Sequence, residues 1–349
     1  MDCAPLQPDD LVSLIAKGNL LFANGGYDEA IQAYKDALSR DAASADAHYG
    51  LAASYASLGR HQDAVEVGRR AAELDPNRFD THFGIGWSLW EIGEYEEALA
   101  SYAVALKIQP RSPEPYHGLG ASYAALGRHT EALQAYRAGV ALDPTYVPCQ
   151  LGAARASLDL QDFRGAEEFY REVLRLSPDD VEASHDLAVT YTGMNRHQEA
   201  ADAYRRAIEA KPDFAEAYYG LATASRELGN KREELIALKR ALEVNPQYAE
   251  AHYYMGVTLT DARRYAEALA AFEQATRIRP DWAEAYCCSG NVYLQLRRYD
   301  EALGAYDHAR SLNPSLRAAH EGMAYTYRRK GMWLKAWQSL KKAFKLEDS

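Results

Sequence analysis

The sequence has few of the features that mark a secreted or membrane-spanning protein. Its 349 residues include four cysteines, and no apolar run approaches the roughly 20 residues that cross a bilayer. The first ten residues lack both the basic patch and the apolar stretch of a signal peptide. We therefore expect no membrane span and a cytoplasmic location.

The cysteines do not form a recognisable framework. Cys3, Cys149, Cys287 and Cys288 show neither metal-ligand spacing nor an arrangement of disulfide pairs. The vicinal pair falls in a predicted helix, so its two side chains should point in different directions. We expect free thiols, buried or partly exposed, as is usual in a reducing cytoplasm.

Positive charge is also scarce. The net charge is −11, which argues against nucleic acid or an anionic membrane as the main partner, because phosphate binding needs clustered Lys and Arg. Phosphate-binding loops, nucleophile elbows and paired metal ligands are missing as well. The ten histidines mostly recur at fixed positions of a repeat, which packing explains. The sequence therefore predicts no catalysis, no cofactor and no metal.

The main feature that is present is a repeat of 34 residues. Eight prolines follow one another at this interval: Pro76, Pro110, Pro144, Pro178, Pro212, Pro246, Pro280 and Pro314. If each repeat ends two residues after its proline, ten repeats begin at residues 11, 45, 79, 113, 147, 181, 215, 249, 283 and 317. Positions are numbered below from 1 to 34 within each repeat. The strict interval predicts one supersecondary unit per repeat.

Other positions support the same interval. Position 8 is Gly or Ala in every repeat, position 20 is Ala in nine, and position 24 is often Tyr. Turns such as Leu58-Gly59-Arg60 divide each repeat into two helices of about 14 residues, because Gly permits the left-handed conformation that ends a helix. Small residues should let the two helices approach closely, while aromatic residues fill the space between hairpins.

This pattern resembles the tetratricopeptide repeat family over residues 11 to 349. The resemblance implies an all-α fold, a right-handed superhelical α-solenoid of antiparallel helical hairpins. It also implies a concave groove lined mainly by the first helix of each hairpin. We expect a single array of ten repeats behind an N-terminal extension of residues 1 to 10.

The resemblance further implies that positions 2, 5, 9, 12 and 13 face the groove. Position 2 is acidic in seven repeats: Asp46, Asp80, Glu114, Glu182, Glu216, Glu250 and Glu284. Position 5 carries rings in six: Tyr49, Phe83, His117, His185, Tyr219 and Tyr253, and repeat three adds Trp87 and Trp90. This composition predicts a groove for a basic or amphipathic peptide or helix of a partner protein. Acids in a first turn also complement the helix dipole, and the rings could serve hairpin packing instead.

The first repeats also resemble co-chaperones that hold the acidic tail of a chaperone. That clasp needs basic and amide side chains, which form charge-assisted hydrogen bonds to a carboxylate. Only Asn19 matches, whereas Ile15, Gly50, Asp80 and Gly84 stand at the other clasp positions. We therefore expect no carboxylate clasp.

The last repeat differs in charge. Residues 317 to 349 hold eight basic and three acidic side chains, a net charge of +5, so residues 1 to 316 carry −16. This repeat could be a solvated cap, or a docking site in a self-assembling structural protein. A regulatory subunit of an enzyme, or of a glycosyltransferase-type complex, is a further alternative to the interaction scaffold or adaptor.

Two repeats are atypical. In repeat seven, Glu234 replaces the small residue of position 20 and Ser225 stands at a position that is aromatic elsewhere; Ser157 does the same in repeat five. A carboxylate between two helices is costly unless it is solvated or paired. We expect these two repeats to be weak joints at which the chain can flex.

Overall fold

The computed structural model describes residues 10–344. Cys3, most of the predicted extension, and Lys345, Glu347 and Asp348 of the last repeat lie outside this range. The described residues form twenty α-helices and no strand. The helices are α1 (Leu11–Ala23), α2 (Tyr27–Arg40), α3 (Ala45–Ser57), α4 (His61–Leu74), α5 (Phe79–Glu91), α6 (Tyr95–Ile108), α7 (Glu114–Ala125), α8 (His129–Leu142), α9 (Val147–Asp159), α10 (Phe163–Leu176), α11 (Val181–Gly193), α12 (His197–Ala210), α13 (Ala215–Glu227), α14 (Lys231–Val244), α15 (Ala249–Asp261), α16 (Tyr265–Ile278), α17 (Ala283–Gln295), α18 (Tyr299–Leu312), α19 (Arg317–Arg329) and α20 (Trp333–Phe344).

The chain divides into two compact blocks. The N-terminal block runs to Pro178 and contains α1 to α10, and the C-terminal block starts at Asp179 and contains α11 to α20. Within each block the two helices of a repeat pack together as a hairpin, and the second helix packs on the first helix of the next repeat. The predicted all-α fold of helical hairpins is therefore confirmed, whereas the single continuous array stays a prediction.

Helix boundaries follow the predicted interval closely. In nine repeats the first helix begins at the predicted residue, and in repeat four it begins one residue later, at Glu114, with Pro113 as the N-cap. A proline preceding the helix is favourable because its missing N–H would have no partner there. In repeats one to nine the second helix ends two residues before the proline position, as expected for a residue that cannot continue a helix.

The turn inside each hairpin uses the left-handed region at position 15 in all ten repeats. Six of these residues are glycines, among them Gly59 and Gly127, which confirms the predicted turn chemistry. The other four are not: Gln161, Asn195, Arg263 and Arg297 have φ between 56° and 59°. Asn tolerates this conformation, but the hairpin geometry imposes it also on Gln161, Arg263 and Arg297, which do not favour it.

The ring at position 24 joins consecutive hairpins. Tyr34 lies between two glycines, position 8 of its own repeat and position 6 of the next. A Cβ added to Gly18 would come within 2.6 Å of the ring, and one added to Gly50 within 2.3 Å. Tyr102 and Tyr306 repeat this arrangement. The small residues are therefore required by the ring that packs on them.

Three of the four histidines at position 4 contact the loop between repeats, and the fourth, His48, contacts the Ser44 carbonyl through Nδ1 instead. Nε2 of each of the three rings lies 2.9 to 3.0 Å from the carbonyl oxygen of the preceding proline, in the pairs His82–Pro76, His252–Pro246 and His320–Pro314. The N–H donates to a backbone carbonyl of the loop, two residues beyond the end of the preceding helix. This structural role accounts for their 34-residue interval.

The buried carboxylate of Glu234 has a counter-charge and a second hydrogen-bond donor. Its side chain is 4% exposed and accepts hydrogen bonds from Arg226 Nε at 2.7 Å and from Thr258 Oγ1 at 2.6 Å. Arg226 also lies over the ring of Tyr254, at 4.0 Å from its centroid. The carboxylate therefore connects repeat seven to repeat eight.

Candidate peptide-binding surface

Six of the seven acidic residues of position 2 fall into two groups. Asp46 and Glu250 are paired with arginines of the loop that ends their own repeat: Arg78 holds Asp46, and Arg279 holds Glu250 at 2.7 Å. These two carboxylates are partly neutralised, so they offer little charge to a partner.

The second group has no ion pair within residues 10–344 and consists of Asp80, Glu114, Glu216 and Glu284. Asp80, Glu216 and Glu284 are exposed, and Glu114 is half-buried. Glu182 is also exposed. These residues are the carboxylates that a basic partner could reach.

Five of the six rings of position 5 pack against the residue that ends their own repeat, and the sixth, Phe83, packs on Phe79 and Tyr102 instead. Tyr253 stacks on Trp282 at 4.6 Å between centroids, and Tyr219 lies 5.1 Å from Tyr248. The same relation joins His185 to Phe214 at 5.1 Å and His117 to Tyr146 at 6.4 Å, and Arg78 takes this place over Tyr49 at 5.2 Å. Much of the contact that these rings make is therefore packing within their own repeat, which is the alternative that the sequence left open.

Burial changes the titration of several rings. It lowers the pKa of His117, since the charged imidazolium loses its hydration. It raises the pKa of Tyr49, and the neighbouring Asp80 carboxylate raises it further, while Arg78 opposes the shift. Asp80 thus acts electrostatically on the ring of the preceding repeat.

Repeats two and three bring four predicted residues together around a cavity of about 230 Å³. Tyr49, Asp80, Phe83 and Trp87 all line it, and Trp87 is 40% exposed at its edge. Small residues form much of the wall, namely Ala52, Ala53, Ala56, Ala64, Gly68 and Gly84. This is the part of the N-terminal block where acid, rings and open space coincide.

Trp90 lies elsewhere. Its ring is half-buried beside Tyr95, at 6.5 Å between centroids, and packs on the cluster around Leu89. It supports the core of repeat three rather than the cavity.

Sequence reasoning missed the small residues that make the cavity. Gly68 stands at position 24, where most repeats carry a ring, and Gly84 at position 6 meets nothing within 4 Å of an added Cβ. The one available indication was the glycine at position 24 of repeat two, which breaks the aromatic pattern.

Other kinds of site find little support in the described part of the chain. Residues 10–344 contain no group of three or more His, Cys, Asp or Glu side chains that could hold a metal ion. None of the twenty helices there is long and apolar enough to cross a membrane. Cys149, Cys287 and Cys288 are free, the first two buried, which confirms the expectation for these three.

Family models for tetratricopeptide repeats match most of the chain. They cover residues 15–79 and 185–242, residues 88–127 and 259–297, residues 123–188, and residues 283–316. The chain belongs to the tetratricopeptide repeat family. In general terms, such repeats form a scaffold for interactions with proteins.

Solved tetratricopeptide repeat structures share the fold. The C-terminal part of a repeat-containing protein from Cytophaga hutchinsonii is 18% identical, with a TM-score of 0.60 over 68% of this chain and 97% of that one. A tetratricopeptide repeat protein from Parabacteroides merdae is 18% identical, with a TM-score of 0.52 over 71% of this chain and 98% of that one. No curated protein matches this tetratricopeptide repeat sequence.

Proposed function

We propose that the chain is a non-catalytic interaction scaffold that binds a basic or amphipathic segment of a partner protein. The observation that carries this proposal is the cavity of repeats two and three, where the unpaired, exposed Asp80 lies beside Tyr49, Phe83 and Trp87. A carboxylate next to rings suits a segment that presents both a positive charge and apolar groups.

Charge supports the choice of a basic partner. The rest of the predicted surface adds Glu114 in the N-terminal block, and Glu182, Glu216 and Glu284 in the C-terminal block. Together with the net charge of −11, these residues attract basic segments and accelerate their encounter. Because exposed charges are screened, binding should weaken as ionic strength rises.

A charge reversal tests this function. The probes are fluorescent twelve-residue peptides that alternate Lys with apolar residues, titrated into the full chain and read by anisotropy. Asp80→Lys should weaken binding at least tenfold at low salt, because it replaces attraction by repulsion at the cavity.

Glu66→Lys is the matched control, since this exposed carboxylate on α4 has no ion pair and gives the same charge change. If both reversals weaken binding equally, only net charge matters and the assigned surface is wrong. If neither peptide binding nor its salt dependence is observed with the wild-type chain, the function fails as a whole.

A second candidate is self-association through the last repeat. Four large apolar side chains of α20 are strongly exposed: Trp333, Leu334, Trp337 and Phe344. Trp337 stands at position 21, where Ile31 and Val65 of earlier repeats are buried. A second copy of this chain suits the face, because the +5 of the last repeat complements the −16 of the remainder.

Light scattering across salt concentrations distinguishes this candidate from the first. A dimer that dissociates as salt rises and is lost in Trp337→Glu supports self-association. A monomer at all concentrations and salts excludes it. The cytoplasmic location and the alternative of a regulatory subunit stay predictions.

A further inference from the structure

The cavity of repeats two and three occupies the place of a missing ring. In repeats one, three and nine, the tyrosine of position 24 lies against position 8 of its own repeat and position 6 of the next. In repeat two these three positions are Ala52, Gly68 and Gly84, and all three line the cavity. Beside Gly84 the space that the tyrosine takes elsewhere is therefore open, whereas Ile85 lies close to Gly68.

Repeat six shows that a ring fits this set of neighbours. There Tyr204 lies against Gly220, and position 8 is Ala188, as it is Ala52 in repeat two. The residue after Gly220 is Leu221, whereas Ile85 follows Gly84, and Ile85 comes within 2.9 Å of a Cβ added to Gly68. The backbone of repeat six thus accommodates an aromatic ring beside the equivalents of Ala52 and Gly84, and the chain supplies no such ring in repeat two.

We infer that this cavity receives the aromatic ring of a Phe or Tyr side chain from the partner, next to a basic residue that meets Asp80. The inference rests on the proposed function and specifies its ligand. The ring would complete the packing that repeat two lacks, while the neighbouring Lys or Arg would pair with the carboxylate at the edge.

The size and wall of the cavity suit a ring. About 230 Å³ exceeds the roughly 150 Å³ of an engineered apolar cavity that binds benzene. Ala53 stands where Asn19 and Asn291 accept the hydroxyl protons of Tyr34 and Tyr306, at 2.7 Å each. A Phe ring has no hydroxyl group, so it needs no acceptor at the position of Ala53 when it enters the cavity.

One polar atom in the wall lacks a partner. Thr81 lines the cavity, is 3% exposed, and its Oγ1 makes no hydrogen bond within residues 10–344. A buried hydroxyl without a partner is costly, and a ligand group can relieve that cost. This hydroxyl is the contact that would favour a phenol over a plain phenyl ring.

The test uses small rings, which need no knowledge of the partner. Toluene and 4-methylphenol stand for the Phe and Tyr side chains and are titrated into the isotope-labelled full chain by protein-detected NMR. We expect saturable shifts of Gly68, Gly84 and their neighbours. A preference for 4-methylphenol that disappears in Thr81→Val identifies Tyr as the favoured source, and equal or stronger binding of toluene identifies Phe.

Two variants should abolish ring binding. Gly84→Leu places a side chain in the open space, and G68Y/I85L restores the arrangement found at Tyr204, so each should weaken binding at least tenfold. Gly304→Leu is the matched control: Gly304 lies in α18, is exposed and likewise meets nothing within 4 Å of an added Cβ. Binding that persists in both cavity variants, or no binding by the wild-type chain, overturns the inference.

Failure of this inference is distinguishable from failure of the proposed function. Asp80→Lys should leave the uncharged rings bound but weaken basic peptides. Two peptides that differ only in a central Phe or Ala make the comparison. If both bind equally, with a dependence on Asp80 but no change in Gly84→Leu, the proposed function stands and the ring is not recognised. If the rings bind but no peptide does, the cavity is real and the proposed function is wrong.

Discussion

Two glycines at the same position of neighbouring repeats have opposite surroundings. Gly50 meets the ring of Tyr34 and Gly84 meets empty space. Gly84→Ala should stabilise the chain by about 1 kcal/mol, because Ala is the better helix former. Gly50→Ala should cost about 1–3 kcal/mol, because the ring must move in a packed interface. Urea unfolding of both variants checks this, and equal effects would show that the two environments do not differ.

The left-handed turn residues provide a second comparison. Arg263 has φ 59° at the position where six other repeats have glycine. Arg263→Gly should raise the free energy of unfolding by about 1 kcal/mol, because it removes the clash of Cβ in this conformation. The reverse change, Gly93→Arg at the equivalent turn, should lower it by a similar amount. Thermal denaturation of the pair measures both, and a loss of stability in Arg263→Gly contradicts the account.

Burial of His117 predicts a pH dependence. Its pKa in the folded chain lies below the ordinary value of 6.5, so the unfolded chain binds more protons between the two values. The stability associated with the neutral ring is complete above pH 6.5 and is lost as the pH falls below it. His117→Phe, which copies Phe83 at the same position, should lose less stability than the wild type between pH 7.5 and 5.5 in urea unfolding. Identical losses would rule out His117 as a contributor.

At the scale of elements, the contact of Arg226 with Glu234 joins α13 to α14, and Thr258 adds α15. Arg226→Met should destabilise the chain by about 3–5 kcal/mol, because it leaves a buried carboxylate without a counter-charge. Glu234→Ala introduces the residue of the other nine repeats and should recover most of this loss in the double variant. A double-mutant cycle by chemical denaturation measures the coupling, and additive effects would mean that the two side chains act independently.

The helices themselves could be predicted from the sequence, since prolines, small residues and the 34-residue interval are local features of the chain. Nine first helices begin at the predicted residue for this reason. The pairing of Asp46 with Arg78 and the stacking of Tyr253 on Trp282 could not be predicted, because they depend on how the loop at the end of a repeat returns to the first helix of that repeat. Likewise, the open space beside Gly84 could not be predicted from its own neighbours in the sequence. It exists because residue 68, in the preceding repeat, is glycine where most repeats have an aromatic ring.

At the scale of the whole molecule, two thiols report on the two blocks. Cys149 lies in the N-terminal block and Cys287 in the C-terminal block, and burial raises the pKa of each to about 12. Both should resist alkylation at pH 8 in the native state and react only when their surroundings open. Mass spectrometry of labelling over time measures each site.

Destabilisation in a repeat chain should be greatest near the altered repeat, because stability is close to a sum over repeats and their interfaces. Gly139→Ala, whose added Cβ would lie 2.4 Å from the Cys149 sulfur, should accelerate labelling of Cys149 and leave Cys287 unchanged. Equal acceleration of both thiols would indicate that the chain opens as one cooperative unit.

The vacancy beside Gly68 implies a general route by which such a scaffold gains selectivity. Tyr102 lies between Gly86 and Gly118 in the same way that Tyr34 lies between Gly18 and Gly50. Removing either ring would therefore leave a cavity of similar shape between two hairpins. Removing a ring costs stability, but the loss is local, and the remaining repeats keep the chain folded. A repeat protein can thus acquire a binding site when a small residue replaces one of its packed rings. The repeat in which the replacement occurs then determines where along the chain the partner binds.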